Sequence, residues 1–309
     1  MQIVRGLDQY RPDAPPSVVA QGTFDGIHLG HQAVIRTAVG RARTLQVRPV
    51  AVTFDPNPLA VLRPAEAPPE LLPLEERLER IAELGPEVCV VIPFTVEFSR
   101  VEAEAYVREV LLGLLGAREI VVGFNHAFGR GARGTPELLR RLAEPAGVLV
   151  HVVAPLRVDG VAVSSTSIRE ALRDGDVGRA ASLLGRPYTV AGVVARGAAR
   201  GRALGFPTAN LTGSPGVLVG DGVYTARASW AGNSAPAVVN VGVRPTVDGA
   251  TRLVEAHLLD VTPDLYERRL TLTFLDRIRA ERRFDSLEAL RAQIAEDVVT
   301  ARRMLGSTS

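Results

Sequence analysis

The segment from Gly22 to His31 has the residues of a phosphate-binding turn. It reads G-T-F-D-G-I-H-L-G-H and lies between a predicted strand, Ser17 to Ala20, and a helix predicted to continue to about residue 43. Glycines allow tight turns and a close approach of the backbone to an anion, and the first turn of a helix attracts negative charge. His28 and His31 can both face a ligand there and donate N–H hydrogen bonds to a transferred phosphoryl group. A bare H-x-x-H pair would equally fit a metal site or two incidental histidines.

A second candidate anion site is the string V-S-S-T-S-I-R, which begins at Val163. Ser164, Ser165 and Thr166 place hydroxyl groups at the start of a predicted helix, and Arg169 adds a positive charge. An ordinary Ser/Thr cap would account for one of these hydroxyls but not for the whole string.

A third candidate site is the string G-R-A-L-G-F-P-T-A-N-L, from Gly201 to Leu211. It could be only a Gly/Pro turn before a strand. Thr208 and Asn210 have one residue between them, so both side chains can point to one side of a strand. Their neutral oxygens could share a Mg²⁺ ion that ATP carries.

Together these strings resemble the bacterial bifunctional riboflavin kinase/FAD synthetase family. The first is similar to the H-x-G-H signature of its nucleotidyltransferase module, the second to I-S-S-T-x-I-R, and the third to the riboflavin kinase signature G-R-x-L-G-F-P-T-A-N-L. Three further strings resemble the kinase module: D-G-V-Y from Asp221, N-V-G-V-R-P-T from Asn240 and E-A-H-L-L-D from Glu255. The resemblance covers nearly the whole chain.

The resemblance implies two ATP-dependent reactions: riboflavin is phosphorylated to FMN, and FMN is adenylylated to FAD with release of pyrophosphate. FMN and FAD are then substrate and product rather than prosthetic groups, and Mg²⁺ accompanies ATP. In this family His28, His31 and Arg169 would stabilise the charge of adenylyl transfer, and Glu255 would accept the proton of the riboflavin 5′-hydroxyl. The predicted nucleotide- or flavin-binding residues are Gly22, Phe24, Asp25, Gly30, Asn125, Phe128, Ser164, Ser165, Thr166, Gly201, Arg202, Gly205, Pro207, Thr208 and Asn210, the last two as Mg²⁺ ligands.

Two residues of the first module depart from the family pattern. Asn57, in F-D-P-N-P, stands where the family usually has histidine, and His126, in G-F-N-H-A-F-G, stands where an aromatic residue is common. Three alternatives to two active modules therefore remain at this stage: a protein with only kinase activity, a non-catalytic flavin-binding regulator, and an RNA-acting enzyme of the synthetase-like superfamily. The absence of lysine removes the K-M-S-K-S loop of the last class.

Composition limits the chemistry further. The 309 residues contain no lysine, which excludes a Walker A or Schiff-base lysine, and the single cysteine, Cys89, lies in an apolar run where an inert buried thiol is expected. The formal net charge is only +2, so we expect mostly solvated arginines and no nucleic-acid partner. No apolar run approaches the about 20 residues of a membrane helix, and a cytoplasmic enzyme is expected.

The pattern of elements predicts two domains, residues 1–186 and 187–309. The first half alternates apolar runs with amphipathic stretches, which is the pattern of βα units around a mostly parallel sheet. The family resemblance implies that this half is a Rossmann-like α/β nucleotidyltransferase domain. The second half has short β-rich runs, typical of an antiparallel barrel or sandwich, and the family resemblance favours the barrel with a C-terminal helix. Capping boxes are predicted at Ser99 to Glu102, for a helix to about Leu115, and at Asp285 to Glu288. Thr135 and Pro136 predict an N-cap followed by proline at the first helical position, for a helix from Glu137 to Leu142.

Overall fold

The computed structural model describes residues 1–11, 14–195, 205–212, 219–246 and 249–306. The chain divides into two compact units, Met1–Ser165 and Thr166–Ser309. No helix among the described residues is long and apolar enough to cross a membrane.

The first unit contains a six-stranded sheet in which every pair of neighbouring strands is parallel. The strands are β1 (Gln2–Arg5), β2 (Ser17–Gln21), β3 (Arg48–Asp55), β4 (Val88–Pro93), β5 (Ala117–Gly123) and β6 (Leu149–Val153). Their order in the sheet is β1-β4-β3-β2-β5-β6, so β3 and β4 lie on one side of β2 and the next strand along the chain, β5, lies on its other side. In parallel α/β sheets ligands bind at the carboxyl ends of the strands where the strand order changes direction in this way.

Helices cover both faces of this sheet, which confirms the predicted parallel α/β architecture. On one face, here called the α1 face, α1 (Leu29–Leu45) and α3 (Leu74–Ala82) pack over buried residues that include Val18 and Ala20. The opposite face, here called the π face, is covered by α4 (Ala103–Ala105), which continues as the π-helix Tyr106–Leu114, and by α5 (Pro136–Ala143). The short helix α2 spans Pro58–Leu62.

The capping box predicted at Ser99 is wrong. Ser99 Oγ donates to the carbonyl of Val96 at 2.7 Å, within a short 3-10 turn, and α4 begins only after Glu102. The Glu102 side chain makes no capping hydrogen bond and instead forms an ion pair with Arg130. By contrast, the predicted cap at Thr135 is confirmed, since Thr135 Oγ1 accepts a hydrogen bond from the backbone N–H of Leu138 at 3.2 Å.

The second unit contains a closed antiparallel barrel, as predicted. The barrel strands are β9 (Thr189–Ala195), β10 (Ala209–Thr212), β11 (Gly222–Trp230), β12 (Asn233–Thr246), β13 (Gly249–Leu258) and β14 (Arg269–Arg279). Their order is β10-β13-β12-β11-β14-β9, and the barrel closes through pairing of β9 with β10. Before the barrel the chain forms the hairpin β7 (Arg157–Val158) and β8 (Val161–Ala162), followed by helices α6 (Ser165–Arg173) and α7 (Val177–Leu184).

The C-terminal helix α8 (Leu287–Gly306) packs against the barrel. Its cap is one residue later than predicted: Ser286 Oγ, rather than the Asp285 carboxylate, accepts from the N–H of Ala289 at 3.1 Å. The helix is held by Asp297, which is 3% exposed and accepts hydrogen bonds from the Arg279 guanidinium at 2.7 and 2.9 Å.

Candidate active sites

The loop from Gly22 to His28 is tightly packed and largely buried. Phe24 and Ile27 both have positive φ angles, 53° and 42°, and their side chains are 1% and 2% exposed. A Cβ atom at Gly22 would lie 2.8 Å from the Phe24 ring, so glycine is required there. The packing of its own apolar residues therefore fixes the path of this loop before any ligand binds.

His28 and His31 are in direct contact at the start of α1. Their rings stack with centroids 3.6 Å apart, and His28 Nδ1 accepts a hydrogen bond from the backbone N–H of His31 at 3.2 Å. Because Nδ1 is an acceptor, the proton of neutral His28 is on Nε2. Gly30 allows this arrangement, since a Cβ atom at that position would be 3.1 Å from the His28 ring.

His31 is held in its neutral form. Burial lowers the pKa of its imidazole well below the usual value of 6.5, and the nearby charges of His28 and Arg77 lower it further. Its Nδ1 atom is buried and has no hydrogen-bond partner within the described part of the chain. At neutral pH this residue is therefore a hydrogen-bonding group rather than a fixed cation.

Arg77 is a positive charge beneath the loop that the sequence interpretation missed. It is fully buried, donates to the carbonyl of Thr23 at 2.9 Å and forms an ion pair of 3.3 Å with Asp55. The expectation of mostly solvated arginines is wrong for this residue. The sequence contains a signal of this burial, because Arg77 lies three residues after Leu74 and four before Ile81, on the apolar stripe of α3.

Asp25 holds a neighbouring segment in place. Its carboxylate is 3% exposed, and Oδ1 accepts hydrogen bonds from the N–H groups of Leu71 and Leu72 at 2.8 and 3.4 Å. The carbonyl of Asp25 accepts from Ser165 Oγ at 2.9 Å, so the second candidate string reaches the first at this point. Ser164 is half-buried beside it. The first unit thus brings together the two glycine-loop histidines, Asp25 and the two serines.

The rest of the second string lies on α6, in the second unit. Thr166 is exposed on the first turn, and Arg169 is 7% exposed on the next. The helix places these two residues three positions apart, on one face of its first turns.

Aromatic rings line the π face near the carboxyl ends of the strands. Successive rings of Phe54, Phe98, Tyr106, Phe128 and His126 have centroids 5.6–6.2 Å apart. Burial lowers the pKa of His126 to about 4, so its imidazole is a neutral ring that stacks on Phe128. Uncharged and planar, this histidine keeps the flat character of the aromatic residue common at this position.

Other residues near this ring series have identifiable local roles. Asn125 is exposed just after β5, and Gly129 has a φ of 68° with a Cβ position 2.7 Å from the backbone of Ala103. Asn57 caps α2, because its Oδ1 accepts from the N–H of Leu59 at 3.0 Å. The departure at Asn57 thus supplies a good helix cap.

The barrel aligns polar residues from three adjacent strands. In the strand register Asn210 of β10 lies directly opposite Glu255 of β13, and Glu255 lies directly opposite Asn240 of β12. Residues directly opposite in an antiparallel pair share one face and are about 4.5–5.5 Å apart. Val254 and Ala256, on either side of Glu255, are buried, so this row is on the outer face of the barrel wall.

The third candidate string leads into this row. Thr208 directly precedes β10, and the Pro207 carbonyl lies 2.9 Å from Nδ1 of His257, which fixes the start of the strand against β13. Gly205 has a φ of 88°, a conformation that favours glycine. Gly201 and Arg202 fall outside the residues that the structure describes.

Cys89 takes no part in either site. It is fully buried in β4, and burial raises the pKa of its thiol to about 12. The expected inert thiol is confirmed. Among the described residues, no three His, Cys, Asp or Glu side chains cluster in a way that could hold a metal ion.

Each half of the chain matches a known protein family. A family model described as FAD synthetase matches residues 11–167, and one described as riboflavin kinase matches residues 184–305. Two proteins named bifunctional riboflavin kinase/FMN adenylyltransferase are similar to the chain. The Escherichia coli K12 protein is 36% identical over 313 residues, with 100% of this chain and 99% of that protein covered, and the Pseudomonas fluorescens protein is 38% identical over 306 residues, with 98% of each covered.

A solved structure is similar over the same length. This structure, described as that of a macrolide-efflux protein from Streptococcus pneumoniae, matches 98% of this chain and 99% of its own length, with a TM-score of 0.89 and 31% identity. The relatives cover both units, and the two ranges that the family models match include the glycine-loop histidines in one half and the Asn210–Glu255 pair in the other. The chain therefore belongs to the family of bacterial bifunctional riboflavin kinases/FMN adenylyltransferases.

Proposed function

We propose that the chain makes FMN from riboflavin and ATP, and then FAD from FMN and a second ATP. The observation that carries the proposal is that each half brings together residues that the sequence predicts to handle phosphate. His28 and His31 stack at the start of α1, and Asn210 lies opposite Glu255 in the barrel. The limits that we assign to the two modules are residues 1–186 for adenylyl transfer and 187–309 for the kinase.

In the kinase reaction the riboflavin 5′-hydroxyl attacks the γ-phosphate of ATP. Glu255 accepts the hydroxyl proton as the new P–O bond forms and the bond to ADP breaks. Mg²⁺ bound to ATP neutralises phosphate charge, and the oxygens of Thr208 and Asn210 suit a cation that keeps most of its ligands from phosphate and water. We assign Gly201, Arg202, Gly205 and Pro207 to the binding of ATP and flavin.

In the adenylyl transfer the FMN phosphate attacks the α-phosphate of ATP, and pyrophosphate leaves. No protein nucleophile is needed, because a phosphate monoester is already anionic near neutral pH. The Nε2–H of His28 and the first-turn N–H groups of α1 other than that of His31 donate to the phosphates, and the neutral imidazole of His31 completes the donor set. Arg169 supplies the positive charge for the leaving pyrophosphate, with Ser164, Ser165 and Thr166 as further donors.

The flavin part of FMN is assigned to the π face. A tricyclic ring matches a wall of Phe128 and its neighbouring rings, and Asn125 lies at the exposed edge of that wall. Gly22, Phe24, Asp25 and Gly30 give the nucleotide loop its shape. We further propose that the small molecules ATP, riboflavin and FMN are the partners, that nucleic acid and membrane are not, and that the enzyme is cytoplasmic.

One incubation tests both activities. Purified protein is mixed with riboflavin, ATP and Mg²⁺, and FMN and FAD are resolved by chromatography. Both products are expected; FMN alone would contradict the adenylyltransferase, and neither product would contradict both activities.

Two variants separate the modules. His28→Ala should abolish FAD formation while FMN still accumulates, and Glu255→Ala should abolish FMN formation while supplied FMN is still converted to FAD. Each variant is the control for the other, and loss of both activities in either one would contradict independent modules.

A further inference from the structure

Gln21 is a buried polar side chain that the two reactions leave unexplained. It is the last residue of β2 and is 2% exposed. Neither its carboxamide oxygen nor its nitrogen has a hydrogen-bond partner within the residues that the structure describes. A buried amide without hydrogen-bond partners destabilises a protein, so we expect a bound ligand to supply the missing donor and acceptor.

The strand geometry shows which side of the sheet Gln21 faces. Side chains alternate along a strand; Val18 and Ala20 lie in the α1-face cluster, and Val19 lies in the π-face cluster. Gln21 therefore faces the π side, opposite Val52 in the register of β2 with β3. The phosphates of ATP are assigned to α1, on the other face, so they are not the partners of Gln21.

The surroundings of Gln21 are apolar and aromatic, with two more unpartnered groups. Ser17 Oγ donates to the carbonyl of Leu115 at 2.6 Å, which fixes the end of the π-helix over the start of β2. The helix leads from the carboxyl end of β4 to the amino end of β5, so its first turn, with Tyr106, lies towards the carboxyl ends of the parallel strands, the end at which Gln21 also lies. The hydroxyl of Tyr106 and Nε2 of His126 are also buried and without partners in the described chain.

These features identify the chemistry of the missing ligand. It is a flat, largely apolar ring with an edge where a hydrogen-bond acceptor and a donor are adjacent, because a carboxamide offers one donor nitrogen beside one acceptor oxygen. The isoalloxazine ring of FMN has such an edge, C2=O, N3–H and C4=O. We propose that Gln21 binds this uracil-like edge, with Nε2 donating to a ring carbonyl and Oε1 accepting from N3–H. The inference rests on the proposed adenylyltransferase function and adds a specificity-determining residue to it.

The test compares FMN with 3-methyl-FMN, which cannot donate from N3, as substrates for FAD formation. The wild-type protein should prefer FMN in kcat/KM by at least about 10-fold, since a site built to accept a hydrogen bond rejects an analogue that lacks the donor. In Gln21→Leu, kcat/KM for FMN should fall about 10-fold through a higher KM, and the preference over 3-methyl-FMN should shrink to less than about 3-fold. The KM for ATP should not change.

Ser17→Ala is the matched control. Ser17 is a buried polar residue on the same face of the same strand, but at its other end and already bonded to Leu115. This variant should keep the wild-type preference for FMN. The Tm of Gln21→Leu without ligand should equal or exceed that of the wild type, because the unpartnered amide is gone, while its rise on adding FMN should be smaller.

The possible results separate the inference from the function on which it rests. FAD formation with the same FMN preference in wild type and Gln21→Leu would overturn the role of Gln21 and leave the adenylyltransferase intact. So would a change in the KM for ATP alone, or a fall in the Tm of the ligand-free variant. Absence of FAD formation by the wild type would overturn both.

Discussion

His126 should make the first unit sensitive to mild acid. Its imidazole is neutral because burial lowers the pKa from 6.5 to about 4, and no partner among the described residues lies at its buried Nε2 to stabilise a proton. Below pH 6.5 His126 binds a proton in the unfolded chain but not in the folded chain. The free energy of unfolding is therefore unaffected above that pH and falls as the pH drops towards 4. Integration over this window gives a loss of about 2 kcal/mol at pH 5 and about 3 kcal/mol at pH 4 from this residue.

The perturbation that isolates this effect is His126→Phe. Phenylalanine keeps a flat ring against Phe128 and cannot take up a proton, so the variant should lack this part of the acid sensitivity. Between pH 7 and pH 5 the free energy of unfolding of the first unit should fall by about 2 kcal/mol less in the variant than in the wild type. The wild type retains a further acid sensitivity from His31, whose pKa burial also lowers, and that part should be common to both proteins.

Urea unfolding at pH 7, 6 and 5 measures the difference. Far-UV circular dichroism follows the helices of both units, and fluorescence of the single tryptophan, Trp230, follows the barrel separately. The barrel transition should be the same in wild type and variant, which makes it an internal control. Equal losses of first-unit stability in the two proteins between pH 7 and pH 5 would refute the assignment of this effect to His126.

Three further substitutions test other parts of the structure. Arg77→Met should lower the stability of the first unit by about 2–4 kcal/mol, measured by urea unfolding, because a buried carbonyl and a carboxylate lose their donor; unchanged stability would contradict the buried contacts. The same variant should move the acidic limb of the pH profile of FAD formation to higher pH, because the charge of Arg77 is one of those that lower the pKa of His31. Gly129→Ala should cost about 2–4 kcal/mol, from the positive φ and the clash with the backbone of Ala103, and a Tm equal to that of the wild type would show that the loop can move. Asp297→Ala should destabilise the barrel by about 3 kcal/mol, because Arg279 is left without its carboxylate partner, and tryptophan fluorescence should report the change; a transition at the wild-type urea concentration would contradict it.

The sequence predicted most of the architecture because its signals are local. The parallel α/β sheet, the antiparallel β-rich second half, the cap at Thr135 and the inert Cys89 follow from apolar periodicity, turn residues and short-range caps, and the structure confirms them. The choice of a barrel over a sandwich came from the resemblance to the family, and the closed barrel confirms it. The capping box at Ser99 failed because its hydroxyl finds a nearer acceptor within a 3-10 turn, which local sequence rules do not distinguish from a helix cap.

What the sequence determined by itself is the chemistry of the short segments: a glycine loop with two histidines, a Ser/Thr-rich helix start, and a Thr-x-Asn strand start. Each depends on residues within a few positions of one another, so their order along the chain suffices. Only the tertiary structure decided that Arg77 is buried under the loop, that Asn210, Glu255 and Asn240 form one row, and that the buried amide of Gln21 has no partner in the described part of the chain. Those facts depend on strand register and on the packing of segments far apart in sequence, which the chain acquires only when it buries its core.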